Sequence, residues 1–171
     1  LPDYTDLLAA SITQLPAESY LAFAQCLENQ SIPQKLSEAV LNRFKQDLLK
    51  SQNTTAIEAG IRILGASQSD QMRIEAWQLW LNSDYQNQVA PLLAFAIRNY
   101  DDLAFIPDAI PAFLENLATL DDDFSAFKKI MSDLLFLPGT RNLLLNALRS
   151  PERSELLANA LQALLNDKRE T

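Results

Sequence analysis

Few residues in this chain have types and spacings that could do chemistry. Ser125-Ala-Phe-Lys128 sets a lysine one helical turn after a serine, a spacing at which an amine can help activate a hydroxyl for acyl transfer. Asp121-Asp122-Asp123 gathers three carboxylates, the donor type that hard cations prefer. Trp77 and Trp80 stand at i and i+3, roughly 60° apart on a helical wheel, and could together line a groove for a partner. Cys26 is the single cysteine, and a thiol is a nucleophile where it is exposed and activated. No histidine accompanies any of them.

Each feature has a plainer reading that fits its context better. Acyl transfer on a Ser-x-x-Lys pattern also needs a Lys-Thr-Gly strand and a second serine motif, and the chain has no Lys-Thr-Gly. Ser125 therefore reads as the solvated first turn of a helix. A calcium loop begun at Asp121 would need Gly at its sixth position and Glu at its twelfth, where Ala126 and Ser132 stand. The aspartates are better placed as helix caps, since Asp at an N-terminus accepts from free N–H groups and opposes the dipole. Both tryptophans suit core packing between helices. Cys26, amid Tyr20, Phe23, Ala24 and Leu27, reads as core material. Asn29-Gln-Ser31 and Asn53-Thr-Thr55 are formal glycosylation acceptors, meaningful only in a secreted eukaryotic protein. No cofactor and no metal are expected.

The elements that must position these residues are helices. Of 171 residues, 31 are Leu and 22 Ala, against 2 Val and 3 Gly, a balance that favours helix over sheet. Prolines and capping residues cut the chain into about ten short segments with apolar stripes at helical spacing. Leu8, Ile12 and Leu15 mark the first, and Leu36, Val40, Leu41, Phe44 and Leu48 the third. The fourth carries Ile57, Ile61 and Leu64 and stops at Gly65; Gly60 inside it suggests a close helix crossing. Val89, Leu93, Ala96, Ile97 and Tyr100 mark the sixth. Asp122 or Asp123 should cap the eighth and Thr140 the ninth. Ser150 as N-cap with Pro151 at N1 should start the last, whose stripe is Leu157, Ala160, Leu161 and Leu164.

Short connections make neighbouring helices antiparallel, so the expected fold is all-α, with helical hairpins stacked as a short right-handed superhelix and a compact bundle as the alternative. Residues 1–171 read as one domain without an internal linker, and Leu1 in place of Met suggests a chain processed or cut from a longer protein. The stretches LPAESYLAFAQCLENQ from Leu15 and IPAFLENLATL from Ile110 share a proline start and an apolar rhythm. Hairpins at such intervals resemble the HEAT-like class of α-helical repeats. The stretch LLLNALRSPERSELLANALQALL, from Leu143 to Leu165, resembles the end of a family of uncharacterised bacterial proteins classed as a domain of unknown function. That resemblance implies no activity, substrate or site residue.

Charge narrows the range of partners. A net charge of −8 argues against nucleic acid and against an anionic membrane surface, both of which want a basic patch. One unpaired cysteine suits a reducing compartment, so the cytoplasm is the expected location. Eight acids against two bases fall in residues 101–133. If a partner site exists, the expectation is an acidic surface there with Asp101, Asp102, Asp108, Asp121, Asp122 and Asp123, joined by Trp80, facing another protein or domain, with a basic one favoured. The expected role is a non-catalytic interaction scaffold; the alternative is an accessory domain of an enzyme whose catalytic residues lie outside this chain.

Overall fold

A computed structural model describes residues 4–50, 53–106, 109–136 and 138–167. It is all-helical: α1 (Tyr4–Ile12), α2 (Ala17–Leu27), α3 (Gln34–Lys50), α4 (Thr54–Leu64), α5 (Asp70–Leu81) and α6 (Val89–Arg98) are followed by a 3-10 helix (Tyr100–Phe105) and by α7 (Ala109–Ala118), α8 (Ser125–Leu135), α9 (Pro138–Leu148) and α10 (Glu155–Asp167). Among the described residues no helix is long and apolar enough to cross a membrane. The chain forms two compact units, Leu1–Asn99 and Tyr100–Thr171.

In the first unit each helix packs on the helix two places further along: α1 on α3, α3 on α5, α2 on α4, and α4 on α6. Alternate helices thus form two rows, and α4 lies between α2, α3, α5 and α6. Its sequence explains the position, because Ala56, Ile57, Ala59, Gly60, Ile61, Ile63 and Leu64 cover more than half of the wheel and all are buried, leaving Thr55, Glu58 and Arg62 on the remaining polar side. A helix with so wide an apolar face must be covered from several sides. Asn53 starts it, accepting the Thr55 N–H at 3.0 Å. Gly60 lets α3 approach, as a Cβ there would lie 2.4 Å from Phe44 Cδ2. Gly65 ends the helix in right-handed conformation, φ −59°. Its glycine is needed instead for the buried Asn99, whose Oδ1 would be 2.3 Å from an added Cβ.

Three arginines bind the helices of this unit together. Arg43 of α3 is buried and donates to the carbonyl oxygens of Ile12 and Leu15, satisfying the open end of α1. Its guanidinium lies 3.8 Å from the ring centroid of Tyr20 on α2 and pairs with Asp47 at 3.2 Å. Burial pushes the pKa of the Tyr20 hydroxyl and of the Asp47 carboxyl upward, against the pull of the Arg43 charge. Arg62 of α4 holds Glu28 at 2.6 Å and Glu58 at 2.8 Å, and the other oxygen of Glu28 accepts from Arg98 of α6 at 3.0 Å. Glu28 is the C-cap of α2, so one carboxylate ties α2, α4 and α6.

Packing corrects three expectations here. Cys26 is exposed rather than core: it stands about 160° from Ala24 and 100° from Leu27, off the face centred on Tyr20 and Ala24. In α6 the inward stripe is Leu92, Phe95 and Ala96, while Val89 is 51% exposed. That helix is apolar on most sides, so spacing alone did not select its face. Trp80, offered as a partner contact, is fully buried and has no surface to present; its Nε1 donates to the Tyr85 carbonyl at 3.2 Å. The Phe95 ring sits 5.3 Å from that of Trp77 and 5.1 Å from that of Trp80, the core role being the one realised.

In the second unit α7 packs on α10 and α8 on α9, with α8 also against α10 and α7 against α9 and α8. Phe113, Leu114, Leu117, Phe127, Met131, Leu134, Leu144, Leu157, Ala160 and Leu164 are its core. Helix starts differ from the expected ones. α9 has begun by Pro138, which places Thr140 inside the first turn. α10 begins at Glu155, not after Ser150. Ser150 closes a turn instead, accepting the Glu152 N–H at 3.3 Å, and the cap is Ser154, whose Oγ accepts from Leu157 N at 3.1 Å.

Candidate functional site

The three C-terminal helices carry more apolar surface than their packing uses. Arg141 and Leu145 stand at i and i+4 on α9, and Arg149, the residue just after its last turn, follows four further on, with Leu148 buried beside them. On α10, Ala158, Leu161, Gln162 and Leu165 repeat the helical spacing above the buried Leu164. α8 packs on both helices and ends at Leu135 with Phe136 as C-cap. Between these elements lies a groove of about 610 Å³, floored by Leu135, Leu148 and Leu164. Phe136 is 81% exposed at its edge and Leu165 61%.

The groove is apolar below and basic at its rim. Among the described residues its lining includes Arg141, Arg149 and Arg153 and no carboxylate. Arg153 is fixed where it stands, because it donates to the Leu148 carbonyl at 2.7 Å, a cation at the negative end of α9. The α10 wall is fixed from behind. Glu115 of α7 accepts from the Ser154 N–H at 2.9 Å and from the Ser154 hydroxyl, which in turn accepts from Leu157 N. A carboxylate thereby meets the positive end of α10 through its cap. The arrangement can bind an apolar, negatively charged surface.

The residues expected to form an acidic site are placed differently. Asp101 is exposed at the start of the 3-10 helix, but Asp102 is only 6% exposed and does not belong to a surface patch. Leu103 and Ile106 are buried beside it, so the inward side of the 3-10 helix takes Asp102 with them, a pattern too brief for spacing to reveal. Asp108 lies outside the described residues. Asp121 Oδ2 accepts from Ala126 N at 2.8 Å and from the Ser125 hydroxyl at 2.7 Å. Asp123 accepts from Ser125 N at 3.0 Å, and hydrogen bonding to Ser125 holds its carboxyl below the usual range. These two aspartates therefore start α8, where Phe124 adopts a left-handed φ of 58° and supplies no cap of its own. Asp122 is exposed. The serine of Ser125-x-x-Lys128 hydrogen bonds to Asp121.

The groove itself was not anticipated from the sequence. Leu144, Leu145 and Leu148 all suit a core, and nothing local says that Leu145 is only half-buried. The available signal was the Arg141, Leu145, Arg149 stripe, a cationic face inside an acidic chain.

Comparison with curated proteins finds no match, and comparison with solved structures finds none either. The family described as a protein of unknown function, DUF3549, matches residues 2–165, and the chain belongs to that family.

Proposed function

We propose that this chain is a non-catalytic, HEAT-like helical scaffold that docks another protein, or another domain of its own polypeptide, in the reducing cytoplasm. The observation that carries this reading is the groove between α8, α9 and α10, with Phe136 and Leu165 exposed at its edge. Large apolar side chains beside an apolar groove mark interaction surfaces, and their burial by a partner supplies the binding free energy. Alternate-helix packing inside the first unit supports the scaffold reading, as stacked hairpins pair in that way.

The test is quantitative co-purification from cells that make the protein naturally, comparing wild type with Phe136→Asp/Leu165→Asp. Both side chains are exposed, so thermal unfolding should stay unchanged. At least one co-purifying protein should be lost with the double variant. An identical set of bound proteins in the two samples would refute the docking role.

A further inference from the structure

We propose that the occupant of the α8, α9 and α10 groove is an amphipathic helix of a partner protein, with carboxylates two turns apart beside its apolar stripe. This rests on the docking role above and adds the chemistry of the partner. The first reason is charge. In a chain of net charge −8, the groove has three arginines and no acid among the described residues of its lining, so the charge at its rim is opposite in sign to that of the molecule. Such a rim attracts carboxylates and repels a basic partner.

Spacing then chooses between carboxylate sources. Arg141 near the start of α9 and Arg149, the residue just past its end at Leu148, are eight residues apart, hence roughly 12 Å along the helix axis, with Leu145 between them. A single-headed anionic amphiphile can pair with one of these guanidiniums and leaves the other unmatched. A helix bearing Asp or Glu at i and i+7 or i+8 spans about 10–12 Å and reaches both, and guanidinium and carboxylate pair in a bidentate fork. Between the carboxylates, such a helix presents apolar residues at i+3 and i+4, against Leu145 on one wall and Leu161 and Leu165 on the other. This is the helix-in-groove mode of recognition.

The test uses the whole chain and two fluorescent peptides of about 18 residues, or five turns, with identical leucine positions. One carries Glu at two rim positions two turns apart, the other Lys. The Glu peptide should bind about tenfold more tightly at low salt, and the difference should shrink toward about 0.5 M salt as screening grows. The variant Arg141→Glu/Arg149→Glu should reverse the preference in favour of the Lys peptide, a result that misfolding cannot imitate. Equal binding of the two peptides would overturn the acidic partner while leaving docking intact, and failure of both would overturn the helix. Laurate binding with indifference to both peptides would assign the groove to an amphiphile. Sedimentation that shows a dimer abolished by Leu165→Asp would assign it to a second copy. Either result overturns the proposal.

Discussion

Gly60 of α4 faces the ring of Phe44 on α3 so closely that a Cβ at residue 60 would sit 2.4 Å from Phe44 Cδ2. Phe44 is fully buried and cannot swing away. Alanine at position 60 gains about 1 kcal/mol of helix propensity, but overpacking a core costs about 1–3 kcal/mol. We expect Gly60→Ala to lower stability by about 1 kcal/mol in urea unfolding, since the steric cost exceeds the gain. Adding Phe44→Leu should recover part of the loss relative to Phe44→Leu alone, because the pair is in direct contact. Additive effects would show that the ring does not oppose the new methyl group.

Arg43 joins three helices through two carbonyl oxygens, one aromatic ring and Asp47. Hydrogen bonds from a charged group contribute roughly 1.5–3 kcal/mol, and removing one partner of a buried pair strands the other. Arg43→Ala should destabilise by about 3 kcal/mol, and Arg43→Lys should recover less than half of that, since an ammonium lacks the planar fork. Hydrogen exchange should show the last turn of α1 opening first. Unchanged exchange at Ile12 with lowered global stability would contradict the staple.

The N-terminus of α10 gives a contrast between two serines. Ser154 holds both Glu115 and the Leu157 N–H, whereas Ser150 closes only a turn. Ser154→Ala and Glu115→Gln should each cost about 1 kcal/mol, the usual value of a helix cap, and Ser150→Ala should be near neutral. Chemical denaturation of the three variants decides it. A larger loss at Ser150 would move the helix start back to the position that Ser150-Pro151 suggested.

Asp123 should make stability depend on pH. Its carboxyl titrates below the ordinary range in the folded chain because Ser125 donates to it, so its contribution is present above about pH 4 and is lost as pH falls through the folded value. Asp123→Asn keeps an acceptor without the charge. Wild type should melt slightly above the variant at pH 7, and the difference should vanish in acid. A gap that persists there would assign the effect to shape rather than to charge.

Helix number and most inward faces were legible in the sequence because Leu36, Val40 and Phe44, or Leu157, Ala160 and Leu164, keep a strict helical period beside polar positions. Legibility failed where that contrast is weak. α6 is apolar on most sides, so Leu92 and Phe95 could not be told from Val89 and Leu93. Cap residues were ambiguous where serines and aspartates crowd, since Ser150 and Ser154, or Asp121 and Asp123, compete for neighbouring N–H groups. The groove was hidden for a different reason. Its walls are ordinary amphipathic helices, and only their tertiary spacing leaves Leu145 and Leu165 uncovered.

The double clasp on Glu28 has a consequence for the order in which the chain matures. Arg62 lies 34 residues beyond Glu28 and Arg98 lies 70 beyond it. A chain emerging from the ribosome can join Glu28 to Arg62 as soon as α4 is out, but the second guanidinium arrives only when α6 has been synthesised. Until then one oxygen of that carboxylate stays open to water and the apolar flank of α4 that meets α6 stays bare. The N-terminal unit is thus timed by its own last helix, and nascent chains stalled before residue 98 should depend on chaperones more than those released after it.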